Sequence, residues 1–168
     1  MSAILPHSEL HGRVVEFLNR EAEMLDEYRF SDWLKTLSPD ITYRMPVRTT
    51  QFLTDGKGFH EFALIDDDYA TLETRVKRLE TEFAWAETPP SRTRHFVTNV
   101  LVERLDDSTL EVRSCFMVTR TRADLEHQIF TGLKVDRLAD DGEGLLVLSR
   151  VIEVDQTAIT NTNLSIFF

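Results

Sequence analysis

Cysteine is almost absent from this sequence: Cys115 is the single one among 168 residues. One cysteine cannot form a disulfide bond within the chain, and its rarity is typical of a protein that works in the cytoplasm. The chain by itself also cannot hold an iron–sulfur cluster that needs two cysteines and two histidines. Cys115 lies in the apolar run of residues 114–118, so we interpret it as a packing residue rather than a nucleophile.

Long apolar runs and an excess of basic residues are missing too. No stretch approaches the roughly 20 apolar residues that a membrane-spanning helix needs. The formal net charge is −10, which makes nucleic acid and anionic membranes poor candidates for partners. Residues 1–7 lack a basic start followed by an apolar segment, so we expect no secretory signal and a cytoplasmic location.

Glycine is scarce, and the six glycines form neither a phosphate-binding loop nor a dinucleotide-binding motif. No Gly-x-Ser-x-Gly nucleophile motif is present either. Five histidines remain as possible metal ligands, and a mononuclear iron would need two of them with a carboxylate. His7 and His11 alone have the four-residue spacing of one helical face. They are read either as a metal pair or, more simply, as two surface histidines.

Two amphipathic helices are predicted in the first part of the chain. The first covers about residues 8–26, where Ser8 can cap the start and apolar residues recur at three- and four-residue spacing. The second covers about residues 29–37 and ends before Pro39, because proline disfavours helical geometry in the preceding residue. The apolar period then changes to two in residues 41–47, which predicts a strand.

The remaining sequence predicts a loop, a third helix and an antiparallel meander. Residues 49–60 contain two glycines and are typical of a loop. Three aspartates at residues 66–68 precede a helix that carries Leu72 and Val76, and acidic residues suit the positive end of a helix dipole. Four strands joined by turn-forming residues follow, at about residues 95–104, 110–121, 126–138 and 145–155.

Helices packed on one face of a long, curved, mostly antiparallel sheet make an α+β architecture. This order is compatible with the cone-shaped, cystatin-like fold of scytalone dehydratase and nuclear transport factor relatives, among several α+β arrangements. No repeat, low-complexity segment or linker divides the chain, so residues 1–168 are predicted to form one domain.

A cone-shaped fold can enclose a pocket, which leaves an enzymatic interpretation open. His95 could pair with Asp26 or Asp32 as a general base while Tyr43 polarises a substrate. The structural alternative is a hydrogen-bonded histidine at a sheet end, with both aspartates at the surface or at helix caps. A stand-alone isomerase or dehydratase, or a small-molecule binding protein, would follow from the first interpretation.

Two segments indicate contacts with other chains. Residues 85–94 combine a large aromatic residue, rigid prolines and arginines, and both tryptophan and arginine are enriched at interface centres. The sequence ends on two phenylalanines, which suggests that this end docks on this chain or on a neighbour. The interface residues predicted from these segments are Trp85, Pro89, Pro90, Arg92, Arg94, His95, Phe167 and Phe168.

Several of these segments together resemble the β (small) subunits of aromatic-ring-hydroxylating dioxygenases, which belong to the Rieske non-haem iron oxygenases. The resemblance lies in residues 17–27, in Trp33-Leu34, in residues 43–48, in the aspartates at 66–68 and in residues 85–95, and it ends with residues 155–156 and 163–168. Each motif is weak alone, but their order covers nearly the whole chain. The details are most similar to the biphenyl, benzene and phenylpropionate branch, although residues 49–66 diverge from it.

The resemblance implies a division of labour between two subunits. An α subunit would carry the Rieske [2Fe-2S] cluster, the mononuclear Fe(II) and the substrate pocket, whereas the β subunit has the cone fold, no cofactor and no catalytic residue. Three β subunits would support three α subunits in an α3β3 hexamer that adds both atoms of O2 to an aromatic ring. Electrons would come from NADH through a reductase and a ferredoxin. Deleting the last four residues is then expected to weaken trimer or hexamer formation.

Overall fold

The computed structural model describes residues 2–48, 59–80, 91–122, 126–156 and 166–168. Along the chain these residues form β1 (Ser2–Ala3), α1 (Glu9–Asp26), α2 (Phe30–Leu34), β2 (Leu37–Arg48), β3 (Phe59–Asp67), α3 (Tyr69–Glu80), β4 (Arg92–Arg104), β5 (Thr109–Arg122), β6 (Glu126–Asp140) and β7 (Leu145–Val154). Within those ranges, none of the helices has the length and apolar composition that crossing a membrane requires.

One mixed sheet holds all seven strands in the order β1-β4-β5-β6-β7-β2-β3. Strands β4 to β7 form the predicted antiparallel meander, in which each strand pairs with the next one in sequence. Strand β2 pairs with β7 in parallel and with β3 antiparallel. The α+β prediction is therefore confirmed, with one parallel pairing that joins β2, from the early part of the chain, to β7.

Helix α1 follows its sequence pattern closely. The Ser8 hydroxyl caps the start by accepting from the His11 backbone N–H at 3.3 Å. Val14, Leu18 and Leu25 are buried against the sheet, as their spacing predicts. We call the side of the sheet that faces the helices the inner face and the opposite side the outer face.

Three boundaries differ from the prediction. Helix α2 ends at Leu34, and strand β2 already begins at Leu37, so Pro39 lies inside a strand and not directly after a helix. Strand β3 runs to Asp67 through residues that were predicted partly as loop and partly as helix start. Of the three aspartates, Asp68 caps the helix, because its side chain accepts a hydrogen bond from the Thr71 backbone N–H at 2.8 Å.

The alternating burial along β5 shows how the sheet divides the core from the surface. Leu110, Val112 and Val118 are fully buried on the inner face, whereas Met117 on the outer face is 37% exposed. On β6, Gly132 allows close packing, since a Cβ atom there would lie 2.2 Å from the Glu153 carbonyl oxygen.

Candidate functional site

The last three residues of the sequence fill the inner side of the sheet, and we call them the tail. The side chains of Ile166, Phe167 and Phe168 are 7%, 2% and 1% exposed. The Phe168 ring packs against two core rings, with centroid distances of 5.5 Å to Phe116 and 5.7 Å to Phe130. Aromatic pairs in such arrangements are favourable beyond the apolar area that they bury. The tail therefore forms part of this chain's own core.

The Phe167 ring occupies a second aromatic slot next to the helices. Its centroid lies 4.5 Å from that of Trp33 and 5.6 Å from that of Phe30. The Arg75 guanidinium lies 4.8 Å from the centroid of the same ring and also pairs with Asp67 at 2.6 Å. A cation over a ring face is attracted by the negative face of the ring, so α3 contributes directly to holding the tail.

Four charged side chains on the inner face form a group that we call the buried ion cluster: Glu21, Lys134, Asp136 and Arg150. Arg150 donates two hydrogen bonds to the Glu21 carboxylate, at 2.7 and 2.8 Å, and two to Asp136, at 2.8 and 2.9 Å. The Trp33 indole N–H donates to Glu21 at 3.0 Å. Lys134 Nζ lies 3.6 Å from Glu21 Oε2. All four charged side chains are at most 5% exposed, so they satisfy one another away from water.

The pKa values in the buried ion cluster follow from this arrangement. Burial by itself would raise the pKa of Glu21, but the charges of Arg150 and Lys134 outweigh burial and lower the pKa to about 2. Burial opposes the charge of Arg150 as well, yet Asp136 and Glu21 raise the pKa of Arg150 well above its usual range. Burial, with the nearby charge of Arg150, lowers the pKa of Lys134. Glu21 and Arg150 therefore stay ionised at neutral pH and tie α1 to β6 and β7.

The backbone of Phe168 is held by side chains of two strands. Arg150 Nη1 donates to the backbone oxygen of Phe168 at 2.7 Å. The Tyr43 hydroxyl accepts from the Phe168 backbone N–H at 2.9 Å and donates to its backbone oxygen at 3.3 Å. Burial raises the pKa of Tyr43 to about 12, so the hydroxyl keeps its proton.

His95 joins helix α1, strand β4 and the tail. Its Nδ1 lies 2.6 Å from Asp26 Oδ1, and its Nε2 lies 3.0 Å from the Phe167 carbonyl oxygen. Burial would raise the pKa of Asp26, but hydrogen bonds from His95 outweigh burial and lower that pKa. Of the two predicted partners, Asp26 meets His95, whereas the side chain of Asp32 is 49% exposed. Both ring nitrogens of His95 contact groups of this chain, and this geometry favours the structural role over that of a general base.

The predicted histidine pair has no matching geometry for a metal. His11 Nε2 lies 3.3 Å from the Val100 carbonyl oxygen, so this ring nitrogen already has a partner in the protein. Across the part of the chain that the structure describes, no group of three His, Cys, Asp or Glu side chains is arranged to hold an ion.

Apolar side chains project from the outer face of three adjacent strands, and we call this group the outer patch. Its members and their exposed fractions are Phe96 (48%), Leu101 (56%), Met117 (37%) and Ile129 (59%). Phe96 lies opposite Met117 across the β4–β5 pair. Several exposed apolar side chains on one face of a sheet mark an interaction site more often than an isolated one does.

A bulge in β4 places Leu101 in the outer patch. The β4–β5 register shifts between Thr98 and Leu101, and Asn99 there has a φ of 54°. Asparagine is one of the few residues that adopts this left-handed conformation readily. Before the bulge the even-numbered residues of β4 face outward, and after it the odd-numbered ones do. The bulge thus aligns Leu101 with Phe96 on the same face.

The structure separates the predicted interface residues into three groups. Trp85, Pro89 and Pro90 lie outside the described residues. Arg92 and Arg94 are exposed on the same side of β4 as Phe96, and the Arg94 side chain is 68% exposed. Contact with another subunit remains a prediction for these two arginines.

The third group, His95, Phe167 and Phe168, faces inward. The His95 side chain is 7% exposed, and both phenylalanines are more buried still. Of the two alternatives predicted for the tail, the structure places it on this chain, because the core offers two aromatic slots and side-chain partners for the three backbone oxygens. Deleting the last four residues would accordingly disturb the fold itself, before any effect on assembly.

Sequence reasoning missed the buried ion cluster. A signal for it exists, because each charge falls at an apolar position of its element. Glu21 continues the helical stripe of Val14, Leu18 and Leu25, and Arg150 alternates in phase with Ile152. A charge in the buried phase of a strand or helix predicts a buried partner, although it does not say which one.

Comparison with known proteins decides the family. Residues 20–161 match the family model described as "Ring hydroxylating beta subunit". The chain is 36% identical over 167 residues to the benzene 1,2-dioxygenase subunit beta of Pseudomonas putida, covering 95% of this chain and 89% of that protein. This chain belongs to the ring-hydroxylating dioxygenase β subunits. The chlorobenzene dioxygenase subunit beta of Cupriavidus sp. strain PS12 has the same identity and coverage.

Solved structures share the fold of this β subunit. A chain of naphthalene 1,2-dioxygenase with bound indole has a TM-score of 0.84 at 21% identity, over 98% of this chain and 88% of that one. A putative scytalone dehydratase from Novosphingobium aromaticivorans has a TM-score of 0.66 at 11% identity, over 90% of this chain and 88% of that one. The predicted cone-shaped fold is confirmed by both.

Proposed function

We propose that this β subunit is the assembly partner of a large α subunit in a terminal oxygenase, as three β subunits with three α subunits. In this proposal α carries the Rieske [2Fe-2S] cluster, the mononuclear Fe(II) and the substrate pocket. The complex would add both atoms of O2 to an aromatic compound and give a cis-dihydrodiol, with electrons from NADH through a reductase and a ferredoxin. Similarity to the subunits named for benzene and chlorobenzene dioxygenases supports an aromatic substrate.

Among the residues that the structure describes, the side chains do not fit either metal centre. A Rieske cluster takes two cysteines and two histidines, and the sequence contains only Cys115. His11 and His95 contact backbone oxygens of this chain, and the rings lie on different parts of the fold. The donor set therefore supports the proposal that both centres lie on the partner, and no reaction step is assigned to this chain.

One observation carries the assembly role: the inner face is occupied by this chain's own groups, while the outer face carries the exposed apolar side chains of the outer patch. In an enzyme built on this fold the inner side would have to admit a substrate. Here the tail and the buried ion cluster lie on that side, and Arg150 and Tyr43 satisfy the backbone groups of Phe168. The surface left for function is the outer face, where exposed apolar side chains are suited to contact another subunit.

A second copy of this chain is the occupant that we assign to the outer patch. A closed ring joins two different surfaces of each subunit. The second surface lies on edge strand β3, where Phe62 is 81% exposed and Leu64 is 50% exposed. Arg94, whose Nη1 lies 3.6 Å from Asp26 Oδ2, borders the outer patch, and the exposed Asp66 lies next to Leu64 on the same face of β3. Both surfaces therefore present exposed apolar side chains with a charged residue beside them.

Native mass spectrometry of this chain, alone and co-expressed with an α chain encoded beside it, tests the assembly role. We expect a trimer of the chain alone and an iron-containing hexamer with α. A stable monomer or dimer that ignores the α chain would contradict the proposal.

Two substitutions test the surfaces. Ile129→Glu in the outer patch and Leu64→Glu on β3 should each convert the trimer to monomers, because each buries a charge at one side of every contact. An equimolar mixture of the two variants should give dimers, since each retains the surface that the other lacks. Ala70→Glu, on the exposed side of α3, is the matched control and should remain trimeric. Trimers of both patch variants would show that copies meet elsewhere.

A further inference from the structure

The Ser114 hydroxyl is a polar group in an otherwise apolar row of the core. On the inner face of β5 it lies between Val112 and Phe116, and Ser114 is fully buried, at 0% exposure. Among the residues that the structure describes, none makes a hydrogen bond with Ser114 Oγ. A hydroxyl taken out of water without such a bond lowers stability, so buried hydroxyls nearly always have a partner. The partner of Ser114 is therefore to be sought outside the chain's own side chains.

Lys134 lies directly opposite Ser114 and also has donors to satisfy. The two residues pair across β5 and β6, and both are buried on the inner face. The Cβ atoms of such a pair are about 4.5–5.5 Å apart. The ion pair with Glu21 balances the charge of Lys134, but Nζ lies 3.6 Å from Glu21 Oε2, which is too far for a hydrogen bond. A lysine ammonium carries N–H donors on three sides, so it needs acceptors close by.

We propose that Ser114, Lys134 and Glu21 together bind one buried water molecule. The water accepts a hydrogen bond from Lys134 Nζ, donates one to Glu21 Oε2 and makes a third with Ser114 Oγ. Buried waters typically make about three hydrogen bonds, which is the number that these three groups offer. The Lys134 side chain keeps 5% of its surface exposed, and that is surface that a water molecule can touch. The bound water joins β5 and β6 to α1, a role that goes beyond assembly and does not depend on it.

Charge explains why the ligand is neutral. Within the buried ion cluster, the two carboxylates of Glu21 and Asp136 balance the two cations of Lys134 and Arg150. An added anion would lie near both carboxylates and an added cation near both cations, and repulsion is weakly screened in a buried site. A water molecule supplies both the donor and the acceptor that the site requires, and it leaves the charges balanced.

A double-mutant cycle in the full chain tests whether the water connects Ser114 to Lys134. Ser114→Ala should lower Tm of the otherwise unchanged chain by about 1–6 °C, the equivalent of one hydrogen bond in a chain of this size. In a Lys134→Met background the same substitution should lower Tm by less than half as much, because the water has already lost one of its partners. Ser149→Ala, at the neighbour of Arg150 on the outer face, is the control and should act equally in both backgrounds.

Two outcomes of the cycle would overturn the proposal. Without a bound water, Ser114→Ala removes a buried polar group that has no partner, so Tm would rise or stay the same. If Ser114→Ala lowers Tm equally in both backgrounds, the hydroxyl acts independently of Lys134.

A second measurement uses the unchanged chain and does not depend on how the variants fold. A crystal structure that resolves ordered water should show one water within about 2.6–3.2 Å of both Ser114 Oγ and Lys134 Nζ. Crystals soaked in bromide should give no anomalous signal at this position. A bromide signal there would identify an anion site instead, and a hydroxyl bonded directly to a protein atom, with no water beside it, would also contradict the proposal.

Discussion

Replacing Arg150 by methionine tests most directly whether the buried ion cluster stabilises the fold. The substitution Arg150→Met keeps an unbranched side chain of similar length. It removes the positive charge that pairs with both Glu21 and Asp136. Both carboxylates would then lie buried without the guanidinium that donates two hydrogen bonds to each. Lys134, 3.6 Å from Glu21, could compensate only one of them. The backbone oxygen of Phe168 would lose its shortest hydrogen bond as well.

The expected loss in the free energy of unfolding is about 3–5 kcal/mol, the range for breaking a buried ion pair by removing one partner. For a domain of this length each kcal/mol shifts Tm by about 2–4 °C, so Tm should fall by roughly 6–20 °C. Most of this loss of stability comes from leaving two carboxylates buried without a compensating charge. The net stabilisation by the ion pairs themselves contributes less. Replacing Glu21 and Asp136 by leucine in the same variant should therefore recover part of the stability.

Urea denaturation and thermal unfolding, both followed by circular dichroism, measure this effect. Arg113→Met is the matched control, because Arg113 is 45% exposed and pairs with Glu103 at 3.0 Å on the surface. Such a pair is worth at most about 1 kcal/mol. If Arg150→Met lowers the free energy of unfolding no more than Arg113→Met does, the buried ion cluster does not stabilise the core.

Two further predictions concern acid stability and close packing. The pKa of Glu21 is lowered from 4.5 to about 2, so its contribution is complete above about pH 4.5 and is lost as the pH falls towards 2. Tm of Glu21→Gln should hence change less between pH 5 and pH 3 than that of the wild type, and equal slopes would contradict this. Gly132→Ala should lower Tm, since its Cβ would meet the Glu153 carbonyl oxygen at 2.2 Å, whereas Gly12→Ala in α1 meets nothing within 4 Å and should be neutral or stabilising. A Gly132→Ala variant as stable as Gly12→Ala would show that the β6–β7 backbone can separate there.

The elements that local pattern defines were predicted well. Helix α1 combines a cap at Ser8 with a regular apolar stripe, and the four late strands alternate between faces with turn residues between them. Strand β3 was missed because Phe62, Leu64 and Ile65 put apolar side chains on both faces, which hides the period of two. An edge strand with exposed apolar residues gives no local signal that distinguishes it from a loop.

Contacts between distant parts of the chain could not be predicted from local pattern. The parallel pairing of β2 with β7 joins residues that lie more than 100 positions apart in sequence. Similarly, local pattern leaves two candidate partners for His95, and only packing selects Asp26. The two terminal phenylalanines predict that this end of the chain packs against protein, but apolar side chains suit a core and an interface equally well.

The position of the tail has a consequence for the order in which the molecule matures. Phe168 contacts Tyr43, which lies 125 positions earlier in the sequence. Arg150 contacts Glu21, which lies 129 positions earlier. A ribosome releases residues 166–168 only after every strand has been made, so the emerging chain must carry uncovered aromatic slots and an incomplete charge group. Contacts of such long sequence separation also slow folding. The nascent subunit therefore passes through a stage that is prone to association, in which a chaperone or an early partner would protect it.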